Sequence, residues 1–153
     1  MPVAASAHRP CNSTIHREPR VVRPALKFLG TLAIAAGLSQ CGENKPKTSA
    51  DGIFTAAQAD RGDALFGQHC ARCHSIQEFT GTSFNTVWAD TPASSLYLRI
   101  ANTMPMDQPG SLGTEQTTAL LAHILDSNGM PSGNHPLPGD LPWLTGIHMA
   151  TAD

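Results

Sequence analysis

The sequence predicts an all-α fold of three to four helices. Three stretches place apolar residues at helical spacing, helix start and stop signals bracket them, and no stretch alternates with the period of a strand. At 153 residues the chain has room for one domain plus processing segments. Aromatic residues at 5% and charged residues at 14% are thin for a self-sufficient globular core.

The elements follow in chain order. Residues 1–24 are polar, contain Pro and Arg, and follow neither period. Ala25–Leu38 is then largely apolar behind a basic flank of Arg20, Arg23 and Lys27, which reads as a secretory signal peptide over residues 1–40. Its apolar run falls short of the roughly 20 residues that span a bilayer. The leader ahead of it is longer than usual, and a translation start near Val21 or Val22 would account for that. The run ends in Leu38-Ser39-Gln40-Cys41-Gly42, which resembles a bacterial lipoprotein processing site with Cys41 as the lipid-bearing new N-terminus. Gln40 departs from that pattern, where a small residue normally stands. The alternative is cleavage after a small residue such as Ala35. Both routes lead out of the cytoplasm.

Residues 41–54 read as a lipidated N-terminus followed by a flexible tether. A coil of about 13 residues reaches roughly 20 Å on average, enough to hang a domain from a membrane surface. The first helix is expected from Ala56 to Cys70. Thr55, with Gln58 three residues on, has the form of a capping box, and Ala59, Gly62, Leu65 and Phe66 mark one face. Gly62 inside a helix costs about 1 kcal/mol relative to alanine, so another helix is expected to cross closely there. Residues 75–90 read mainly as loop, with a helical turn near Phe84–Trp88. Thr91 as N-cap and Pro92 at the first helical position open the next helix, with Ala93, Leu96, Tyr97 and Ile100 on its apolar face to about Asn102. A loop stiffened by Pro105 and Pro109 follows. The last helix is expected from Gly113 or Thr114 to Asn128, with Leu120, Leu121, Ile124 and Leu125 apolar and Gly129 as its stop. Residues 132–153, rich in Pro and Gly up to Trp143, read as an irregular extension wrapping the domain surface.

Charge and cysteines narrow the chemistry. Residues 1–40 carry five Lys/Arg against one acid, a net +4, and residues 41–153 carry five against eleven, a net −6. A mature acidic domain argues against nucleic acid as a partner, because phosphate binding needs the opposite sign. Of the four cysteines, Cys11 and Cys41 fall in or at the end of the targeting segment, which leaves Cys70 and Cys73. These belong to Cys70-Ala71-Arg72-Cys73-His74, the attachment signature of a c-type haem. Each thiol adds across one vinyl group, and the histidine ligates the iron. A Cys-x-x-Cys without the histidine would read equally as a thioredoxin-like site or half a zinc site.

Helix, haem motif, loop, helix, Met-Pro loop and terminal helix, in that order, resemble the class I mono-haem bacterial c-type cytochromes over residues 55–131. Gly62, Phe66 and Cys70 at successive intervals of four match that family's first helix, and Met104-Pro105 stands thirty residues after His74. Pro109-Gly110-Ser111-Leu112 and Asn128-Gly129-Met130-Pro131 look like the subgroup associated with quinoprotein dehydrogenases and related periplasmic oxidation chains. The resemblance implies a class I cytochrome c fold around one covalent haem c. Cys70 and Cys73 would attach it, and His74 and Met104 would ligate the iron. Met106 is the competing sixth ligand, whereas Met130 and Met149 suit the core or tail. The resemblance also implies that Gly62 and Phe66 pack against Leu120 and position 123. His123 replaces the aromatic residue common there and reads as packing, loosening the crossing slightly. His69 reads as surface or packing, and His135 and His148 have no partner at ligand spacing. Trp88, Tyr97 and Arg99 are candidate haem-lining residues. The Gly-Pro that often follows the motif is missing from Ile76–Gly81, so some other carbonyl is expected to orient the His74 ring.

The leading functional expectation is electron carriage between a periplasmic dehydrogenase and a respiratory acceptor such as a terminal oxidase or another cytochrome. The location would be the periplasm, with a membrane tether through Cys41. One alternative is the haem-bearing subunit of an oxidoreductase complex. Another is an open haem site with peroxidase-like or gas-binding activity, which a bound Met104 would deny. A thiol-disulfide oxidoreductase lacks its βαβ pattern, and zinc lacks a second Cys/His pair at suitable spacing.

Overall fold

The computed structural model describes Pro46 and residues 48–152. The expected signal segment, Cys11 and the lipid-bearing Cys41 lie outside the described residues. Helices are the regular elements among the described residues, together with two isolated bridges at His148. The predominantly helical expectation therefore holds.

The expected tether does not extend to residue 54. Ser49–Asp51 form a 3-10 turn, and Ile53 and Phe54 are buried in the core. This apolar pair belongs to the folded body because the chain from 132 to 133 closes over it. The Gly133 amide donates to the Phe54 carbonyl at 2.6 Å, and a Cβ on Gly133 would lie 1.9 Å from the Gly52 oxygen.

Helix α1 runs Ala56–His69, with Cys70 as its C-cap rather than its last residue. Thr55 accepts the Gln58 amide at 3.2 Å, which is half of the expected capping box. The Gln58 side chain does not return to Thr55. It is buried, donating to the Leu137 carbonyl at 3.1 Å and accepting the Leu137 amide at 2.7 Å.

The stretch expected to be mainly loop is instead a 3-10 turn, Ile76–Phe79, and a helix α2, Gly81–Trp88. Asn128 organises this joint from another helix. Its amide oxygen accepts Gly81 N–H at 3.0 Å, and its nitrogen donates to Phe79 and Ile124 carbonyls at 2.8 and 2.7 Å. Helix α3 spans Ala93–Thr103, and Pro92 is its N-cap rather than its first residue. Met104 ends it in extended conformation, φ −120° and ψ 150°, consistent with the restriction proline places on the preceding residue. Helix α4 spans Thr114–Ser127, where the Gln116 side chain accepts the Gly113 amide at 3.0 Å.

Helices α1 and α4 make the main helix–helix contact. It is close because Gly62 has no side chain: a Cβ there would lie 2.0 Å from the Ala119 carbonyl oxygen and 2.6 Å from the His123 Cβ. His123 occupies the place expected of an aromatic, its ring centroid 5.6 Å from that of Phe66.

The C-terminal segment departs most from expectation. Leu141–Thr145 form a helix α5, begun by Asp140 accepting the Trp143 amide at 2.8 Å with Pro142 in the first turn. Leu137, Leu144, Ile147 and Met149 are buried. The tail also pairs with earlier backbone, with Met149 N–H donating to Thr91 and Ala93 N–H to Ile147. Burial of four large apolar side chains, each favourable by roughly 1.5–3 kcal/mol, makes this segment part of the core instead of a wrap.

Candidate functional site

Cysteines 70 and 73 and His74 stand on a turn that α1 creates as it ends. The Cys70 carbonyl accepts both Cys73 N–H at 3.0 Å and His74 N–H at 2.9 Å, while Cys70 N–H still donates to Phe66. The motif is thus folded back on the last turn of the helix. Cys73 is exposed and Cys70 is partly buried, and both thiols are free. Burial pushes the Cys70 thiol up from its ordinary value. That works against thiolate chemistry, because a reactive thioredoxin-like cysteine needs the opposite shift.

This turn lines a cleft of about 830 Å³ with a mostly apolar wall. Met104, Pro105, Met106 and Asp107 from the loop after α3 line the same cleft, as do Phe66, Leu120 and Ile124 from the crossing helices. Cys70, Cys73, His74 and Met104 are therefore brought together. Met104 is partly buried, whereas Met106 is 77% exposed. Trp88 and Arg99 line the cleft as well. Tyr97, expected beside them, is absent from the lining; its hydroxyl lies toward Gly139, beneath the C-terminal segment. His69 lines the cleft too, while Met130 and Met149 are buried in the core.

The His74 ring is held from two directions. Its Nδ1 lies 3.1 Å from Glu78 Oε2, and its ring centroid lies 5.4 Å from that of Phe79 in an edge-on arrangement. Phe79 in turn meets Phe66 edge-on at 6.2 Å. A carboxylate only accepts, so Nδ1 is the donor in this bond, and in the neutral imidazole that tautomer leaves the Nε2 lone pair free. The expected carbonyl partner of His74 is thus replaced by a carboxylate. Glu78 Oε1 accepts the Ser75 amide at 2.8 Å, and this bond, together with the His74 ring, holds the Glu78 carboxyl below its ordinary range.

Arg72, inside the motif, donates to Asp107 at 2.6 Å. The bond spans from the turn after α1 to the loop carrying Met104, and both side chains are mainly solvent-exposed. The Arg72 hydrogen bond lowers the Asp107 carboxyl below its ordinary range.

The role of Glu78 escaped the sequence reading, although Ser75-x-x-Glu78 has the form of a capping box and Glu78 stands four residues from His74. The Arg72–Asp107 pair carries no local signal, because it joins residues 35 positions apart. Among the described residues, no group of three or more His, Cys, Asp and Glu side chains gathers to hold a metal ion. None of their helices is long and apolar enough to cross a membrane. No family model, curated protein or solved structure matches the chain.

Proposed function

We propose that the protein is an electron carrier of the class I cytochrome c type, holding one haem c in the cleft. Cys70 and Cys73 would attach it, and His74 and Met104 would ligate its iron. The observation that carries this reading is that one apolar cleft of about 830 Å³ is lined by both thiols, by His74 and by Met104. The residues suit the group in kind. The volume lies within the range of cofactor pockets, roughly 300–1,000 Å³. Both thiols are uncommitted, and the Nδ1 bond to Glu78 leaves Nε2 as the available ligand atom.

Bound there, the haem supplies the Fe(III)/Fe(II) couple. The chain's own part is to hold and to tune. His74 is fixed in ring plane by Phe79 and Glu78, and the Met104 thioether favours the reduced state. Phe66, Leu120 and Ile124 keep the inner wall apolar, and the Arg72–Asp107 bond fastens the Met104 loop to the attachment turn. The setting is the periplasm, with Cys41 as a lipid anchor. The partners are redox proteins: a dehydrogenase as donor, and a terminal oxidase or second cytochrome as acceptor.

The test is a haem-stained denaturing gel with pyridine haemochrome analysis of protein matured in a bacterial periplasm. The expected result is one covalent haem per chain and the weak red charge-transfer band of sulfur-ligated ferric haem. Met104→Ala should abolish that band and Met106→Ala should retain it. Covalent haem without the band in the unaltered protein, together with carbon monoxide binding, would replace electron carriage by the open-site reading.

A further inference from the structure

Among the described residues, Glu78 is the one carboxyl group hydrogen-bonded to the candidate proximal ligand. Of the two atoms it could use, Oε2 lies 3.1 Å from His74 Nδ1, while Oε1 is engaged by the Ser75 amide of the same 3-10 turn. The His74 ring and the Ser75 amide, at the N-cap of the turn Ile76–Phe79, therefore hold the carboxylate at both oxygens. Phe79, one residue on, packs edge-on against the same imidazole, so one short element supplies both the charge and the ring contact. Among the described residues, no other carboxylate pairs with this ring.

We infer that Glu78 is a positioning residue that raises the donor strength of His74 and thereby sets the haem to a lower reduction potential than a neutral partner would. The inference rests on the haem-carrier reading above. A hydrogen-bonded carboxylate draws the Nδ1 proton toward itself and leaves more electron density on Nε2. Increased ligand basicity and a nearby negative charge both favour Fe(III) over Fe(II). The Met104 thioether acts in the opposite sense, so the potential is the balance of two ligands with opposed tendencies. Glu78 is 53% exposed and His74 30%, so solvent screens part of the charge, and a moderate shift is expected rather than a large one.

The experiment uses the matured full chain and two variants, Glu78→Gln and Glu78→Ala, each first shown by pyridine haemochrome to carry covalent haem. Glu78→Gln keeps an acceptor oxygen and removes the charge, whereas Glu78→Ala removes both. Spectroelectrochemical titration should find the Fe(II)/Fe(III) ratio at a fixed applied potential raised about tenfold in each, equivalent to about 59 mV for one electron. The His74 ring N–H should exchange with solvent faster in Glu78→Ala. A ratio within twofold of the unaltered protein in both variants, with the sulfur charge-transfer band unchanged, overturns the inference and leaves the carrier reading standing. Absence of covalent haem from the unaltered protein overturns both.

Discussion

At Gly62 the backbones of α1 and α4 touch, and that contact sets the inner wall of the cleft, which Phe66, Leu120 and Ile124 line. The Ala119 carbonyl oxygen occupies the space where a Cβ would go, 2.0 Å away, and a backbone atom has no rotamer by which to yield. Gly62→Ala is therefore expected to force the helices apart and to cost about 3 kcal/mol, the upper part of the usual overpacking range. Gly67, in the same helix, meets nothing within 4 Å. There the alanine substitution should stabilise by roughly 0.5–1 kcal/mol, the helix-propensity gain. Urea denaturation of the two variants should give midpoints that move in opposite directions. His123 sits over the same crossing. Its ring packs on Phe66 and its Nε2 lies 3.8 Å from Asp63, so a residue able to ligate iron is spent on packing.

At the scale of elements, what could be read in the sequence tracks what is local. The apolar faces of α1, α3 and α4, the Thr55 cap and the Asn128-Gly129 stop are written within a few residues, and these elements match to one or two positions. The motif placed Cys70, Cys73 and His74 together by chemistry, and Met104 followed by resemblance. What escaped depends on long-range partners. α2 is held at its start by Asn128 from 47 residues away, and α5 packs against α3 with Leu144 buried although its Pro- and Gly-rich flanks read as coil. Asp140 followed by Pro142 did carry a start signal for α5. Gln58 shows the same limit, since a box partner for Thr55 proved to be a clamp on Leu137. Gln58→Ala leaves the Leu137 amide and carbonyl unpaired in the interior, at roughly 1–3 kcal/mol for each group. Hydrogen exchange should then show loss of protection from Leu137 to Met149 ahead of α4.

At the scale of the whole molecule, the thin aromatic content meets a large, mostly apolar cleft lined by the described residues. A domain of about 100 residues has little stability in reserve without a staple, and the covalent macrocycle proposed for the cleft would supply one. The Cys70→Ala/Cys73→Ala double variant is accordingly expected to lose helicity in far-UV circular dichroism and to melt over a broad range. A sharp transition with native helicity would mean that the fold closes without its guest.

The two ends of the described body are stitched to each other. Ser49 N–H donates to His148 at 2.9 Å, and the Ser49 hydroxyl accepts Ala150 N–H at 2.8 Å. Any traction applied before residue 48 is thus met first by the tail and by the buried Phe54, which share the load between them. The turn bearing Cys70 lies further along the chain, behind the whole length of α1. A pull from that side would reach the cleft only through those contacts and the whole length of α1.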